Sequence, residues 1–408
     1  MFRGWRLFIF ALLILNLFNW VCLVEFNYGI PQIVKYVLSI TVICIIIYFL
    51  IKLPTKDILE SNFRFIFIWF IFYSIILLVT SLFRFNALIY FQRVFADRTF
   101  FLPYLIPILL MFIKFDVKFF HIIFNYTSIL IFPVAFILIV ILLFARSQEK
   151  WLEQFELINL FNIGSYFLLL TAHYSRKRHV SLIVISYYLI YIILALIYGR
   201  RGVVISSLLL LSFMILIRLR SPFSTIKQRI KMYLIGMVLS LLIISFGYLL
   251  QSTYAFERGF SKEGFNQSRS VVFNDFFEDF RSTSDWVFGR GIEGRVYRSI
   301  KSEGSLDIIE QGYLTIILRG GLLYLIPFIL VLLRSIYLGL FKSQNDLTKA
   351  LAILVFIHLV LMFYFNLPDY SSYYLFIWIS ALACYNPNIR NFSDVELARI
   401  FNKPLKFN

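Results

Sequence analysis

The chain reads as an all-α polytopic membrane protein with about twelve transmembrane helices and one long extracytoplasmic loop carrying short amphipathic helices. Three observations carry that reading. Of 408 residues, 61% are hydrophobic and 15% charged, against roughly half and a quarter in a soluble domain, and the mean hydropathy is +0.83. The apolar residues fall in runs close to the about 20 needed to cross a bilayer. The basic residues crowd into alternate connecting segments.

Arg3 and Arg6 precede the first run as a start signal. No small-residue cleavage site stands before Glu25, so the first span is expected to stay. The runs fall at roughly 7–24, 33–51, 63–83, 99–113, 119–145, 157–174, 180–198, 203–217, 232–250, 310–333, 350–366 and 370–385. An even number puts both termini on one side. Arg176-Lys177-Arg178 and the group Arg218, Arg220, Lys227, Arg229 and Lys231 mark that side as cytoplasmic. Segments assigned to it hold 22 of the 39 Lys and Arg but 6 of the 22 Asp and Glu. The net charge of +17 is therefore a topology signal. It is spread over many segments without a nucleic-acid motif, which argues against nucleic-acid binding.

Four regions follow: residues 1–250 with spans one to nine, the outer loop 251–309, residues 310–385 with spans ten to twelve, and a cytoplasmic tail, 386–408. In the tail, Ser393 stands where it can cap a short helix beginning Asp394-Val395-Glu396. Cys22, Cys44 and Cys384 lie in apolar runs and read as packing residues. His121, His173, His179 and His358 all lie outside the long loop, so an outer Ser-His-Asp site has no support, and no cluster has metal-ligand spacing.

Chemistry is expected where charge and water meet the outer ends of the spans. Gly199-Arg200-Arg201-Gly202 is an outer turn that opens span eight. Two guanidinium groups beside a helix N-terminus suit a phosphate; they also suit snorkelling to headgroups. In the long loop, Arg269 precedes Val272, Phe273, Phe276, Phe277 and Phe280, an amphipathic pattern expected to lie aromatic side down in the membrane interface. Arg281 closes that helix, where it suits the dipole. Arg269 opens it and gains nothing from the dipole, which marks it for ligand binding. Trp286 and the turn Phe288-Gly289-Arg290-Gly291 follow, the glycines allowing close backbone approach.

Glu310 has two readings. It sits three residues after Asp307, as in a capping box, and it could serve as a general base at the membrane edge. Arg319, inside span ten beside Gly320-Gly321, is either a substrate contact or half of an internal ion pair. Arg84, Arg93, Asp97 and Arg98 read as loop and interface charge.

These features, in this order, resemble the O-antigen polymerase and O-antigen ligase superfamily. The layout of about twelve spans with one late outer loop matches over most of the chain. Arg201-Gly202 resembles that superfamily's arginine-glycine at the outer start of a mid-chain span. Arg269, Trp286 and Gly289-x-Gly291 resemble its late-loop pattern. Glu310-Gln311-Gly312-Tyr313-Leu314 stands where ligases carry His-Asn-x-x-Leu, and the glutamate in place of that histidine favours a polymerase. The resemblance implies a bacterial inner-membrane glycosyltransferase that needs neither cofactor nor metal. Its donor and acceptor are undecaprenyl-diphosphate-linked oligosaccharides, its surroundings membrane lipids, and its partners chain-length regulator and flippase proteins. Glu310, Arg269 and Arg201 would be catalytic; Arg200, Arg281, Arg290, Tyr313 and Arg319 would bind substrate. The alternatives are an O-antigen ligase-type transferase, a lipid-linked oligosaccharide flippase or transporter, and a polyprenyl-phosphate-sugar glycosyltransferase, for which Glu25 in the first outer loop is thin support.

Overall fold

A computed structural model describes residues 2–28, 30–53, 63–83, 87–144, 162–175, 178–197, 200–220, 269–297, 305–306, 309, 311–363 and 367–403, with a few single positions between 226 and 237. Span nine at 232–250, the first part of the long loop, Arg84 and Glu310 lie wholly or largely outside the described residues.

The helices are α1 (Phe2–Tyr28), α2 (Gln32–Lys52), α3 (Arg64–Leu82), α4 (Ala87–Ala96), α5 (Leu102–Met111), α6 (Val117–Phe144), α7 (Asn162–Thr171), α8 (Arg178–Ile197) and α9 (Arg201–Arg220). In the late loop come α10 (Arg269–Asp279), α11 (Thr283–Phe288) and the strands β1 (Val296–Tyr297) and β2 (Ser305–Leu306). Then follow α12 (Gly312–Phe341), α13 (Asp346–Leu361), α14 (Ser372–Tyr385), α15 (Pro387–Arg390) and α16 (Asp394–Phe401). The strands pair antiparallel, Val296 opposite Leu306. Among the described residues, seven helices are long and apolar enough to cross a membrane: α1, α2, α3, α6, α8, α9 and α12. The chain is thus a helical protein of the polytopic membrane class.

Three of the expected spans are short helices. Helices α5, α13 and α14 have 10, 16 and 14 residues, or about 15, 24 and 21 Å at 1.5 Å per residue, against a hydrocarbon core of about 30 Å. Flanking turns consume the rest of the runs of α5 and α14. Before α5, Asp97 Oδ1 accepts from the Thr99 backbone N–H (2.8 Å) and hydroxyl (2.9 Å). Before α14, Ser371 donates to Asp369 Oδ1 (2.6 Å) and accepts from Tyr374 N–H as its cap. These helices are enclosed by others, so their ends need not meet lipid.

The start of α14 is recessed. Asn19 Nδ2 donates to Tyr370 O at 3.1 Å, and the Tyr370 hydroxyl to Ser39 O at 3.3 Å. α1 continues nine residues beyond Asn19 and α2 begins seven before Ser39, so the α1–α2 tip stands about 10–13 Å above this point.

One end of the bundle is built by the termini. Trp5 stacks on Phe49 and Phe115, and Asn386 Nδ2 donates to Phe115 O. Helix α16 starts with a full capping box between Ser393 and Glu396, as the sequence leads one to expect. Its Asp394 accepts from the Tyr174 hydroxyl and from Asp346 N–H. The tail is therefore packed into the bundle, with Leu397 and Phe401 buried.

Helix α12 is broken. Gly321 has φ 61° and ψ −168°, so residues 312–320 and 322–341 are separate helical segments. The second alone covers about 30 Å, enough to cross a bilayer. Into the break fits the loop turn after α11. Arg290 N–H donates to Leu318 O (2.7 Å) and Gly291 N–H to Arg319 O (3.0 Å). In an unbroken helix those carbonyls would accept from residues 322 and 323. The approach is backbone to backbone: a Cβ on Gly289 (φ 73°) would lie 2.6 Å from Gly321 N, and one on Gly321 2.3 Å from Val287 O.

Gly321→Ala is therefore expected to destabilise the protein by more than about 1–2 kcal/mol, the cost of the left-handed conformation alone. Gly4→Ala, whose Cβ would meet only Phe49 at 3.7 Å, should be near neutral. Unfolding midpoints of the detergent-solubilised variants check this; a wild-type midpoint for Gly321→Ala contradicts the junction.

Candidate functional site

The site lies at the end of the bundle opposite the termini, where the loop turn meets the break in α12. The elements below it are tied together. Arg319 Nη1 donates to Thr99 O, and Tyr370 N–H donates to Arg98 O at 2.6 Å. The segments entering α5, α14 and the second part of α12 are thus joined at one level.

Arg319 is 3% exposed. Its guanidinium carbon lies 6.0 Å from the Tyr104 ring centroid, and its Nε has no hydrogen-bond partner among the described residues. No carboxylate pairs with it among those residues, so of its two sequence readings the internal ion pair has no visible partner. Arg98 and Asp369 sit half-buried at the rim. Burial pushes the Asp369 carboxyl up, and the nearby Arg98 partly opposes this. Thr99, Arg98 and Asp369 form part of the site although the sequence marked none of them as such. The only hint was polar residues interrupting apolar runs at the starts of spans four and twelve.

Arg290 has a structural occupation. Its Nε and Nη2 donate to Asp285 Oδ2 (2.9 and 2.8 Å), its Nη1 to Asp279 Oδ2 (2.5 Å) and Arg295 O (2.8 Å), and its Nη2 to Asp279 O (2.9 Å). Those contacts use all five guanidinium donors. The two carboxylates hold its pKa above the usual value despite the opposing effect of burial. The substrate-binding role expected from sequence has no donor left to perform it. The guanidinium instead braces the turn, 4.9 Å over the Phe280 ring.

The aromatic stripe also differs from expectation. Phe276 and Phe280 are buried and stacked 4.7 Å apart, with Trp286 edge-on to Phe280. They form the core of the loop subdomain rather than a membrane-facing surface, because α11 and β1 supply a partner for that face. Only Phe277 remains substantially exposed, stacked on Trp286. Arg281 is exposed beyond the helix end.

The cap reading of Glu310 does not hold. The N-cap of α12 is Gln311, with φ −103° and ψ 124°, and the helix starts at Gly312. Residue 310 precedes the cap, and so cannot be the third residue of a capping box. Glu310 itself lies outside the described residues. Its neighbours are fixed: Ile309 is buried and its carbonyl accepts from the Thr315 hydroxyl, while Gln311 Nε2 donates to Phe363 O. Tyr313 is likewise engaged, donating to Leu359 O at 2.7 Å.

The backbone of Arg200 opens α9, its carbonyl accepting from Val203 and Val204 N–H; the side chains of Arg201 and Arg269 lie outside the described residues. Which end Arg200 occupies follows from contacts at the other end of α9. Arg218 Nη2 donates to Ser181 Oγ near the start of α8, and His173, just before α8, lies 3.6 Å from Asp346 at the start of α13. The start of α9 is therefore at the same end as the finish of α13, beside Gln311. The described residues do not join α9 to α10.

Comparison with protein-family models, with curated proteins and with solved structures finds no match, so the chemistry rests on these residues.

Arg290→Ala is expected to orphan Asp279 and Asp285 and to loosen the turn by about 2 kcal/mol, given 1.5–3 for one hydrogen bond to a charged group. Hydrogen exchange over residues 279–297 should then accelerate about 30-fold. Arg281→Ala should leave exchange unchanged, and equal effects of the two would contradict the assignment.

Proposed function

We propose that the protein is a polysaccharide polymerase. It transfers a glycan from an undecaprenyl-diphosphate donor to a sugar hydroxyl of a second lipid-linked unit, without a metal. Its twelve spans cross the bacterial inner membrane with both termini cytoplasmic, and the site faces the periplasm. The observation that carries the reading is the junction at the end opposite the termini. There the late-loop turn is locked to α12, at the end that Arg200 and the neighbours of Glu310 share with Arg319. The order of motifs resembling the O-antigen polymerase and ligase superfamily supports the same reading.

The chemistry needs two things. A lipid diphosphate departs, and its charge is stabilised by preorganised donors: Arg201 and Arg269, with Arg200 beside them. The acceptor hydroxyl needs a base, and Glu310 is assigned that role. The N-cap of α12 at Gln311 supports the base reading over the cap reading. Of the other carboxylates near the loop, Asp285 is held by Arg290 and Glu278 is exposed. A ligase would place a histidine at position 310. A flippase would need a polar path through the spans; the described polar groups gather at the two ends instead.

Deleting the gene and resolving surface polysaccharide on a gel tests the reading. Single attached repeat units are expected. Complete loss of attachment would indicate a ligase, and accumulation of inward-facing lipid-linked units a flippase. Arg201→Ala and Arg269→Ala should each reproduce the deletion with protein level intact, each contact contributing about a hundredfold or more in rate. Glu310→Gln should reduce activity about 10²–10⁴-fold without loss of stability, and near wild-type polymer from it would remove Glu310 as the base.

A further inference from the structure

Three helices begin together at the site end, and each carries a tyrosine at its third position. Tyr104 is third in α5 and Tyr374 third in α14. Tyr324 is third in the segment of α12 that restarts after Gly321. Their starts are joined by the Arg98–Tyr370 and Thr99–Arg319 hydrogen bonds described above. Helical side chains lean toward the N-terminus, so all three hydroxyls lean back toward the same level. The Tyr104 and Tyr324 rings lie 5.5 Å apart, and Tyr374 lies within electrostatic reach of both.

The three tyrosines are buried, at 0–1% exposure. Tyr374 faces the indole nitrogen of Trp378, and Tyr324 faces Ser74. Yet none of the three hydroxyls, nor Trp378 Nε1, nor Arg319 Nε, completes a hydrogen bond among the described residues. Burying such groups without partners is costly. This set has five donors, a fixed positive charge and three helix N-termini, whose dipoles also favour an anion. The carboxylate at the rim, Asp369, is within electrostatic reach of Tyr374 as well as of Arg98, which partly offsets its charge.

We propose that this collar of Arg319, Tyr104, Tyr324 and Tyr374 binds a phosphoryl group of a lipid diphosphate. The inference rests on the polymerase reading for the identity of the lipid. It adds a site distinct from Arg201 and Arg269. A polymerase that joins two lipid-linked units holds two diphosphates at once, and the collar takes the one that stays attached to the acceptor.

The test uses the full-length protein in nanodiscs, with undecaprenyl diphosphate, undecaprenol and inorganic pyrophosphate as probes and intrinsic tryptophan fluorescence as readout. Wild type is expected to bind undecaprenyl diphosphate and not undecaprenol. The triple variant Tyr104→Phe, Tyr324→Phe, Tyr374→Phe should weaken that binding by on the order of tenfold to a hundredfold. Its melting temperature should not fall, because only hydroxyls without partners are removed while the rings stay. Equal binding by the triple variant would overturn the collar, as would binding of undecaprenol as tight as that of the diphosphate, or a lowered melting temperature. Inorganic pyrophosphate binding as tightly as the lipid would overturn the lipid assignment in favour of a free anion. A triple variant that binds like wild type and makes normal polymer sinks the collar alone. Single attached units failing to appear in the deletion strain sinks the polymerase reading alone.

Discussion

Two backbone hydrogen bonds organise the functional end of this protein: Arg290 N–H to Leu318 O and Gly291 N–H to Arg319 O. A helix interrupted inside a protein leaves carbonyls and amides that need partners. Here the late loop satisfies the carbonyls, and only glycine permits the approach, since a Cβ on either Gly289 or Gly321 would strike the facing backbone. The break and the docked turn therefore require each other. From that junction follow the anchoring of the loop subdomain, the turn of Arg319 toward Thr99, and the fresh helix start that brings Tyr324 beside Tyr104.

Much of the fold was legible in the sequence. Apolar runs located most of the long helices to within about five residues, although α12 runs on eight residues past its apolar run to Phe341, and Ser393 with Glu396 marked the cap of the last one. The Gly-x-Gly turn was visible as a place of close approach. Its target was not, because a Gly-Gly pair inside an apolar run reads equally well as tight helix packing. Two of the short helices, α5 and α14, were overestimated for a related reason. Hydropathy counts Phe100 and Phe101 or Tyr370 as membrane residues, whereas Asp97 and Asp369 fold them into turns. The aromatic residues of α10 were read as facing lipid, since periodicity reports which face is apolar and not what covers it.

The site was legible in part. Arg319 stood out as a buried charge, but its neighbour Thr99 is 220 residues away, a distance no local pattern bridges. Glu310 was ambiguous because its capping partner, Asp307, depended on a helix N-cap placed four residues before the observed Gln311. With the N-cap at Gln311 and the start at Gly312, residue 310 precedes the helix, which is compatible with the base role proposed for it. The tyrosine collar escaped sequence reading altogether, since three tyrosines share a helical position only once the helix starts are known.

Reconstituting the purified protein in proteoliposomes with lipid-linked repeat units tests the central claim most directly. Glycan length and released undecaprenyl diphosphate are followed together, with a chelator present. Polymer is expected to grow with one undecaprenyl diphosphate released per linkage. Movement of the units across the bilayer with no linkage and no release would contradict the account.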